Sequence, residues 1–352
     1  MQLSDYNYEL PSELIATRPP KNRGSSRLLF LKRQTGELQD SHYFNLADFL
    51  TAGDTIVLND TRVIKARLRV KKDNGAEREI VLLEKHSFDN DWFRHRIMYR
   101  RKLNVGDKLT IGDAQLLVEE IEGDGLAIVR STKDLLKIAD EYGEVPLPPY
   151  MHRDATPMDI KRYQTLWAKD KGSVAAPTAS LNMTNEILEK IKAKGVNVVY
   201  LTLHVGLGTF LPIRADRLED HHMHKEYFNI PKETLCAIKN TKKAGKKVIA
   251  IGTTVARTLE YANKLIVQSE CDVSGEADIF IYPGYEFKVI DGLLTNYHAP
   301  KSTVLMLTAA FAGWDKLLPA YQHAIKEKYN FFSYGDSMLI FCLLYTSDAA
   351  DE

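Results

Sequence analysis

Cysteine is scarce in this sequence, which has Cys236, Cys271 and Cys342 as its three cysteines among 352 residues. They lie far apart and form neither a Cys-x-x-Cys pair nor a metal-ligand spacing. The pattern therefore excludes a disulfide framework and does not support a zinc site or a redox dithiol. We interpret the three thiols as buried or chemically idle side chains.

An excess of either charge is also absent, because 47 lysine and arginine residues balance 47 aspartate and glutamate residues. A neutral chain has no general attraction for polyanions, so any affinity for nucleic acid must come from a local patch. No uncharged stretch approaches the roughly 20 residues of a membrane helix. The first ten residues carry Asp5 and Glu9 instead of the apolar run of a secretory signal. We therefore expect a cytoplasmic protein that has no contact with membranes.

The composition that remains is that of an ordinary globular protein. Hydrophobic residues make up 44% of the chain and charged residues 27%, which is close to the average for compact folds. A chain of 352 residues is too long for one ordinary core. Its length therefore favours about two domains.

The sequence pattern changes near residue 66, which indicates an inserted domain. From there to residue 129, short alternating runs are separated by turn sequences, of which Asn74-Gly75 is the strongest hairpin signal. Pro146, Pro148 and Pro149 then mark the return to the first domain. We predict a small antiparallel β-barrel at residues 65–145.

Strand and helix patterns alternate in the rest of the chain. Thr184 and Ser302 are predicted helix caps, and residues 248–251 and 279–282 are predicted strands. Such alternation is typical of an α/β layer. We predict a mixed-sheet α/β main domain built from residues 1–64 and 146–341. We interpret residues 342–352 as a disordered or artefactual tail, because their acidic, turn-rich sequence has no packing pattern.

The junction after residues 248–251 is a candidate anion site. Gly252 frees the turn, and the backbone N–H groups of Thr253 and Thr254 would point outwards from the start of a helix. A helix start of this kind stabilises a phosphate or a carboxylate. Arg257, one turn further along, could contact the same anion through its guanidinium. An ordinary tight turn with a surface arginine is the alternative interpretation.

Histidines occur at three places in the second half of the chain, and they are candidate acids and bases. His204 follows an apolar run. His221, His222 and His224 lie in a loop before Glu226, and His298 lies in a loop next to Pro300. The clustered histidines lack a recognised ligand spacing, so we predict no metal site. A structural, hydrogen-bonded role is the alternative for each histidine.

A basic and aromatic surface is predicted on the inserted barrel. Arg94, Arg96 and Arg101 accompany Trp92 and Tyr99 in and beside one strand-like run. Because side chains alternate across a strand, many of these groups would share one face, as on RNA-binding surfaces. We therefore predict that the three arginines bind RNA, with a solvated barrel face as the alternative.

Eleven motifs in a fixed order carry a resemblance that extends from Leu3 to about Ile340. They are SRLLFL (26–31), NDTRVIKARL (59–68), PLPPY (146–150), YQT (163–165), VAAPTASL (174–181), LTLHVGLGTF (201–210), MHKE (223–226), GTTVARTLE (252–260), FIYPGYEF (280–287), TNYHAPKS (295–302) and YGDSMLI (334–340). With these motifs the chain resembles the S-adenosylmethionine:tRNA ribosyltransferase-isomerase family. The resemblance implies the same α/β domain with an inserted β-barrel.

The resemblance also implies a reaction. The ribosyl part of S-adenosylmethionine would be transferred to 7-aminomethyl-7-deazaguanine in the wobble position of tRNA and isomerised, giving epoxyqueuosine-tRNA, adenine and methionine. S-adenosylmethionine would be a consumed substrate, with no metal or other cofactor, and we expect a monomer.

The resemblance and the patterns together give a set of candidate site residues. The candidate catalytic residues are His204, His298, His224, Glu226 and Asp60. The candidate substrate-binding residues are Arg62, Thr178, Asn182, Thr253, Thr254, Arg257 and Tyr282. We assign base and acid roles to His204 and His298, and the methionine carboxylate to Arg257 with the 252–254 turn.

The chain departs from the family pattern at two positions. Gly24 stands where the family usually has aspartate in Arg-Asp-x-Ser-Arg-Leu, and Asn182 stands where it usually has histidine in Leu-His-Phe-Thr. A carboxylate and an imidazole are therefore lost. The departures keep a catalytically impaired tRNA-binding paralogue open as an alternative. An S-adenosylmethionine-dependent RNA methyltransferase is a second alternative, although the chain lacks a glycine-rich nucleotide-binding signature.

We predict that Asn182 positions other groups rather than replacing a catalytic base. Its carboxamide donates and accepts hydrogen bonds like a neutral imidazole but cannot take up a proton near pH 7. The protein as it stands should release adenine from S-adenosylmethionine, and Asn182→His should raise the rate less than about tenfold, or about 1.4 kcal/mol. Chromatography of released adenine measures both rates. An inactive parent restored about a hundredfold or more by Asn182→His would instead identify the missing imidazole as the base.

Overall fold

The computed structural model describes residues 1–86, 92–206, 213 and 215–341. The predicted tail at residues 342–352, and Cys342 with it, lies outside the described residues. Within the described residues, no helix is both long enough and apolar enough to cross a membrane.

The strands of the described residues are assigned as follows. They are β1 (Arg27–Lys32), β2 (Leu38–His42), β3 (Thr55–Asn59), β4 (Thr61–Val63), β5 (Arg67–Lys72), β6 (Glu77–Leu82), β7 (Arg94–Tyr99), β8 (Lys108–Ile111), β9 (Ala114–Gly123), β10 (Leu126–Ser131), β11 (Asp170–Ser173), β12 (Asn197–Leu203), β13 (Glu226–Ile230), β14 (Val248–Ile251), β15 (Val273–Ala277), β16 (Gly292–Asn296) and β17 (Ser337–Phe341).

The helices lie mostly in the second half of the chain. They are α1 (Leu135–Tyr142), α2 (Pro157–Arg162), α3 (Asn185–Ala193), α4 (Lys232–Lys243), α5 (Thr253–Tyr261), α6 (Asn263–Gln268), α7 (Thr303–Ala312) and α8 (Trp314–Lys326).

A large mixed sheet forms the main part of the protein, in the order β15-β13-β12-β3-β14-β16-β17-β1-β2. Its centre, β12-β3-β14-β16, is parallel throughout, whereas β16 pairs with β17 and β12 with β13 in antiparallel fashion. The predicted mixed-sheet α/β class is therefore confirmed.

Both faces of the central sheet are covered. On one face, Ile249 and Ile251 of β14 share a core with Ile187 and Ile191 of α3. On the other, Val248 and Ala250 of the same strand lie in a second core together with residues of α5 and α7. Parallel strands buried on both faces read as continuous apolar runs, as the sequence of β14 does.

The inserted barrel is closed, in the order β10-β7-β6-β5-β8-β9. Its strands alternate between interior and exterior residues, as β5 and β8 show, which places one apolar residue in every two inside. Gly75, with φ +78°, makes the predicted hairpin turn between β5 and β6. The antiparallel barrel is confirmed, while the domain boundaries at residues 65 and 145 stay a prediction.

Three local features differ from the sequence patterns. The four-residue strand β8 and the helix α1, which Asp134 caps, are additions to the predicted barrel. The predicted strand at 279–282 is wrong, because the strand in this region is β15. Phe280 instead packs in an aromatic group, with its ring 5.2 Å from that of Tyr282 and 4.8 Å from that of His221. The aromatic and branched residues at 279–282 pack in the core, but they do not pair with a neighbouring strand.

The predicted helix caps are confirmed. The Thr184 hydroxyl accepts a hydrogen bond from Ile187 N at 3.2 Å, and the Ser302 hydroxyl accepts one from Leu305 N at 3.2 Å. Gly252 has φ +102° at the start of α5, a conformation that few other residues adopt. The chain can therefore turn directly from β14 into α5.

Glu260 joins α5 to the loop that leads into β16. Its side chain is fully buried. One carboxylate oxygen accepts hydrogen bonds from Val289 N at 2.9 Å and Ile290 N at 3.0 Å, and the other accepts one from Lys288 N at 2.8 Å. A buried carboxylate that satisfies three backbone donors holds this loop at a fixed place.

We expect Glu260→Ala to lower the free energy of unfolding by roughly 3 kcal/mol or more, because it leaves several buried N–H groups without a partner. Urea unfolding measures this change. Glu260→Gln, which keeps an acceptor oxygen, should lose less, and Glu233→Ala on the exposed first turn of α4 should change stability little. Equal stability of Glu260→Ala and Glu233→Ala would contradict this structural role.

Candidate functional site

A cavity of about 600 Å³ lies at the carboxyl ends of the parallel strands. Open α/β sheets bind their ligands at this edge. The loop after β16 and the start of α5 form one wall, and the segment at 176–179 forms another. Tyr150, which follows the barrel, and Phe332 and Ser333, which precede β17, also line it. The cavity therefore collects residues from segments that are far apart in the sequence.

The starts of two helices lie at this cavity. Thr253 and Thr254 of α5 line it, as does Ser302, the cap of α7. The first N–H groups of a helix have no partner within the helix, and they carry a partial positive charge. The cavity wall can therefore stabilise a carboxylate or a phosphate without a metal ion.

His298 is the imidazole in the cavity wall. Its Nε2 lies 2.7 Å from the Thr295 hydroxyl, and its backbone N–H donates to the Tyr321 hydroxyl at 3.1 Å. Burial lowers the pKa of His298 to about 3, although part of its surface faces the cavity. The ring is therefore neutral at pH 7, and burial makes it a weaker base than an exposed imidazole.

Arg257 and Glu226 form a buried ion pair beside the cavity. They line a small neighbouring pocket of about 30 Å³, which shares Thr253 and Thr254 with the cavity. Burial lowers the pKa of Arg257 to about 10, and the nearby carboxylate of Glu84 acts in the opposite direction. Arg257 is thus a charged guanidinium at neutral pH, held in a region of low dielectric constant.

Two donors in this pocket are unused. Within the described residues, Arg257 Nε and Thr254 Oγ1 are buried and have no hydrogen-bond partner. Glu226 Oε1 accepts a hydrogen bond from Gly206 N at 2.7 Å, so the same carboxylate also fixes the chain after β12. A ligand anion at the start of α5 would satisfy the unused donors.

His204 and Asp60 follow β12 and β3, but they lie outside the lining of the cavity. His204 Nδ1 is 2.8 Å from the Thr61 hydroxyl, and burial, with Lys85 as a smaller cause, lowers its pKa to about 3. Asp60 accepts a hydrogen bond from the Thr202 hydroxyl at 2.6 Å, and burial raises the pKa of its carboxyl group. Both groups lie at the same edge of the sheet as the cavity.

Asn182 is buried and hydrogen-bonded to two other segments of the chain. Its Oδ1 accepts a hydrogen bond from Ser26 Oγ at 2.9 Å, and its Nδ2 donates to Gly335 O at 3.1 Å. Gly24, the other departure from the family pattern, is its neighbour: a Cβ there would lie 3.5 Å from Asn182 O and 3.0 Å from Thr184 Cγ2. Both departures therefore lie in one supporting region, outside the residues that line the cavity.

The other candidates are distributed as follows. Thr178 lines the cavity and donates a hydrogen bond to Asn296 Oδ1 at 2.8 Å. Arg62 and His224 are exposed, and Tyr282 is half-buried against Phe280. Thr178, Thr253, Thr254 and His298 thus share the cavity, with Arg257 and Glu226 beside it.

Several residues of the cavity wall were absent from the sequence-based set. They are Tyr150, Thr295, Asn296, Lys301, Phe332 and Ser333. Most of these lie in or beside the motifs at 146–150, 295–302 and 334–340. Membership of a motif therefore carried a signal that reasoning from single chemical groups overlooked. Across the described part of the chain, no group of three or more His, Cys, Asp or Glu side chains is placed to hold a metal ion.

Comparisons with known proteins agree with the motifs. A family model described as queuosine biosynthesis protein matches residues 3–340. The S-adenosylmethionine:tRNA ribosyltransferase-isomerase of Chlorobium phaeobacteroides is 52% identical over 344 residues, which are 97% of this chain and 100% of that protein. The enzyme of the same name from Halothermothrix orenii is 49% identical over 348 residues, with the same coverage.

A solved structure supports the same assignment. The crystal structure of S-adenosylmethionine tRNA ribosyltransferase from Thermotoga maritima has a TM-score of 0.56 and 34% sequence identity, and covers 96% of this chain and 100% of that one. The match spans both the sheet and the barrel. The chain therefore belongs to the S-adenosylmethionine:tRNA ribosyltransferase-isomerase family of queuosine biosynthesis.

Proposed function

We propose that this protein transfers and isomerises the ribosyl moiety of S-adenosylmethionine onto 7-aminomethyl-7-deazaguanine in tRNA, producing epoxyqueuosine-tRNA. Methionine, adenine and one proton are released. The observation that carries the proposal is the family match over residues 3–340, together with a cavity at the carboxyl ends of the strands. S-adenosylmethionine is the consumed substrate, and no further cofactor takes part.

The methionine carboxylate is the group that suits the start of α5. Thr253 and Thr254 present helix N–H groups there, and Arg257 lies one turn behind them with an unused Nε. Burial strengthens the attraction between a carboxylate and this guanidinium, since little water screens them. This placement leaves the larger, mostly apolar cavity for the ribose, the adenine and the incoming base.

His298 is our candidate for proton transfer in the cavity. The sulfonium acidifies the protons on the adjacent 5′ carbon, so a neutral imidazole can remove one, and adenine leaves more readily when it is protonated. Burial lowers the pKa of His298 to about 3, which keeps the ring neutral at pH 7 but weakens it as a base. The position of His298 in the cavity wall is what supports this assignment. His204 and Asp60, which meet the same edge of the sheet, remain candidates for the second proton transfer.

The substrate tRNA carries the modified base in its wobble position, and we propose that the protein acts on it as a monomer in the cytoplasm. The sequence predicts RNA contacts at Arg94, Arg96 and Arg101 of the barrel. This stays a prediction, and Arg94 and Arg96 are paired with Glu119 and Glu122. Arg62 and Tyr282 stay proposed substrate-binding residues and His224 a proposed catalytic residue, although none of the three lines the cavity.

Incubation with S-adenosylmethionine and tRNA bearing 7-aminomethyl-7-deazaguanine should release adenine and methionine in equal amounts. The reason is that both leaving groups come from one consumed molecule. Chromatography of the small molecules measures them, with tRNA bearing guanine at that position as the control. S-adenosylhomocysteine as the product would identify a methyltransferase, and tRNA binding without any product would identify an impaired paralogue.

The combined change Arg257→Met and Glu226→Gln should weaken S-adenosylmethionine binding by roughly 1.5 to 3 kcal/mol, the contribution of a charged hydrogen bond. Both residues are changed because Arg257→Met alone would leave the Glu226 charge buried and unpaired. Calorimetric titration of the folded variant measures the affinity. The matched control is Lys72→Met with Asp107→Asn, which removes an ion pair of the barrel and should bind S-adenosylmethionine within a few-fold of the parent. Unchanged affinity in the Arg257→Met and Glu226→Gln variant would exclude the carboxylate contact.

A further inference from the structure

The basic face of the barrel is largely neutralised by its own neighbours. Arg94 Nε donates to Glu119 at 2.7 Å, and Arg130 donates to the other oxygen of the same carboxylate. Arg96 is paired with Glu122 in the same manner. These glutamates lie on β9, across the barrel sheet from the arginines of β7 and β10. Fewer free positive charges remain on this face than the sequence suggests.

A second basic surface lies around helix α2, and we name it the α2 surface. It consists of residues from the N-terminal segment and from the helix itself: Arg18, Lys21, Arg23, Lys161 and Arg162. Arg18, Lys21 and Lys161 are exposed. Backbone contacts join the two segments, since Arg23 donates to Gln164 O at 3.1 Å and Arg162 donates to Lys21 O at 3.5 Å.

The charges of the α2 surface are not compensated. Among the described residues, none of its five side chains forms an ion pair with a carboxylate. Arg23 donates hydrogen bonds to the backbone oxygens of Lys161 and Gln164, on either side of Arg162, so two like charges lie on one short segment. Burial, followed by the charge of Arg162, lowers the pKa of Arg23. Arg162 Nε is buried and has no hydrogen-bond partner within the part of the chain described. An external anion would relieve this repulsion.

The α2 surface adjoins the cavity. Tyr163, which follows Arg162, packs edge-on against Tyr334 with ring centroids 5.9 Å apart. The residue before Tyr334, Ser333, lines the cavity, and its backbone N–H donates to the hydroxyl of Tyr150 in the cavity wall at 3.0 Å. Aromatic side chains thus connect the end of α2, which carries Arg162, to the wall of the cavity where a nucleotide would lie.

We propose that the α2 surface, rather than the β7 face of the barrel, binds the phosphate backbone of the substrate tRNA. This inference rests on the proposed function, because it takes tRNA as the substrate. Phosphate contacts fix the position of a nucleic acid while the reacting base is read elsewhere. Uncompensated arginine and lysine beside the cavity match a chain whose phosphates flank the base that enters it.

Two variants of the full chain test tRNA binding by each surface separately, and each variant removes three positive charges. One is Arg18→Gln, Lys21→Gln and Lys161→Gln, which leaves in place the arginines that hold backbone carbonyls. The matched control is Arg94→Gln, Arg96→Gln and Arg101→Gln. Binding of tRNA bearing 7-aminomethyl-7-deazaguanine is measured by fluorescence anisotropy at several salt concentrations. Binding of S-adenosylmethionine is measured by calorimetry.

The α2 variant should bind this tRNA about tenfold or more weakly, and the slope of log affinity against log salt should fall by about 0.9 for each phosphate that is no longer neutralised. The barrel variant should stay within about twofold of the parent, and both should bind S-adenosylmethionine normally. An α2 variant with unchanged tRNA affinity and slope overturns the inference, and so does a loss confined to the barrel variant.

Failure of the proposed function can be distinguished from failure of this inference, because it would be observed in the parent protein. A parent that neither binds this tRNA nor releases adenine refutes the proposed function and the inference together. A parent that releases adenine while the α2 variant binds tRNA normally refutes the inference alone.

Vesicles containing phosphatidylserine test a membrane as the competing partner. If the parent binds these vesicles, the α2 variant does not, and both bind tRNA equally, the α2 surface is assigned to a membrane.

Discussion

Parallel pairing of β12, β3, β14 and β16 is the constraint on which the site depends. Because these strands run in the same direction, the segments that follow them emerge at one edge of the sheet. His204, Asp60, Gly252 and His298 therefore meet there, although their positions in the chain differ widely. Neither the strands on the antiparallel flanks nor the barrel could bring these groups together.

Buried charges then hold the emerging segments in place. Glu226 binds the backbone after β12 and pairs with Arg257 of α5, so one carboxylate connects two walls of the site. Glu260, at the far end of the same helix, fixes the loop before β16. Unpaired, each of these charges would destabilise the fold, since a buried ion without partners loses its hydration. Stability and the geometry of the site thus depend on the same contacts.

The two departures from the family pattern lie behind the site. Asn182 satisfies both ends of its carboxamide with Ser26 and Gly335, and Gly24 lies against its backbone. These contacts connect the segment at 24–26, the start of α3 and the strand β17. A neutral amide serves such a connection well, because it can donate and accept at once without a charge that burial would penalise. This geometry favours a positioning role for Asn182.

The sequence by itself determined the elements of this protein. Local periodicity, the Asn74-Gly75 turn and the caps Thr184 and Ser302 act over a few residues, so the α/β class, the inserted barrel and most helices could be predicted. The four residues of β8 were too few to show a period, and aromatic residues at 279–282 imitated a strand because they fill a core.

Only the tertiary structure decided which candidates share the site. Thr178 meets Asn296, 118 positions away, and Arg94 of β7 meets Glu119 of β9 across the strand β10 that lies between them. Such contacts follow from strand order and register, which depend on how the whole chain packs. The sequence therefore overestimated the unpaired positive charge on the barrel and gave no sign of the unpaired positive charge around α2. A sequence shows how many charges there are but not which of them are paired.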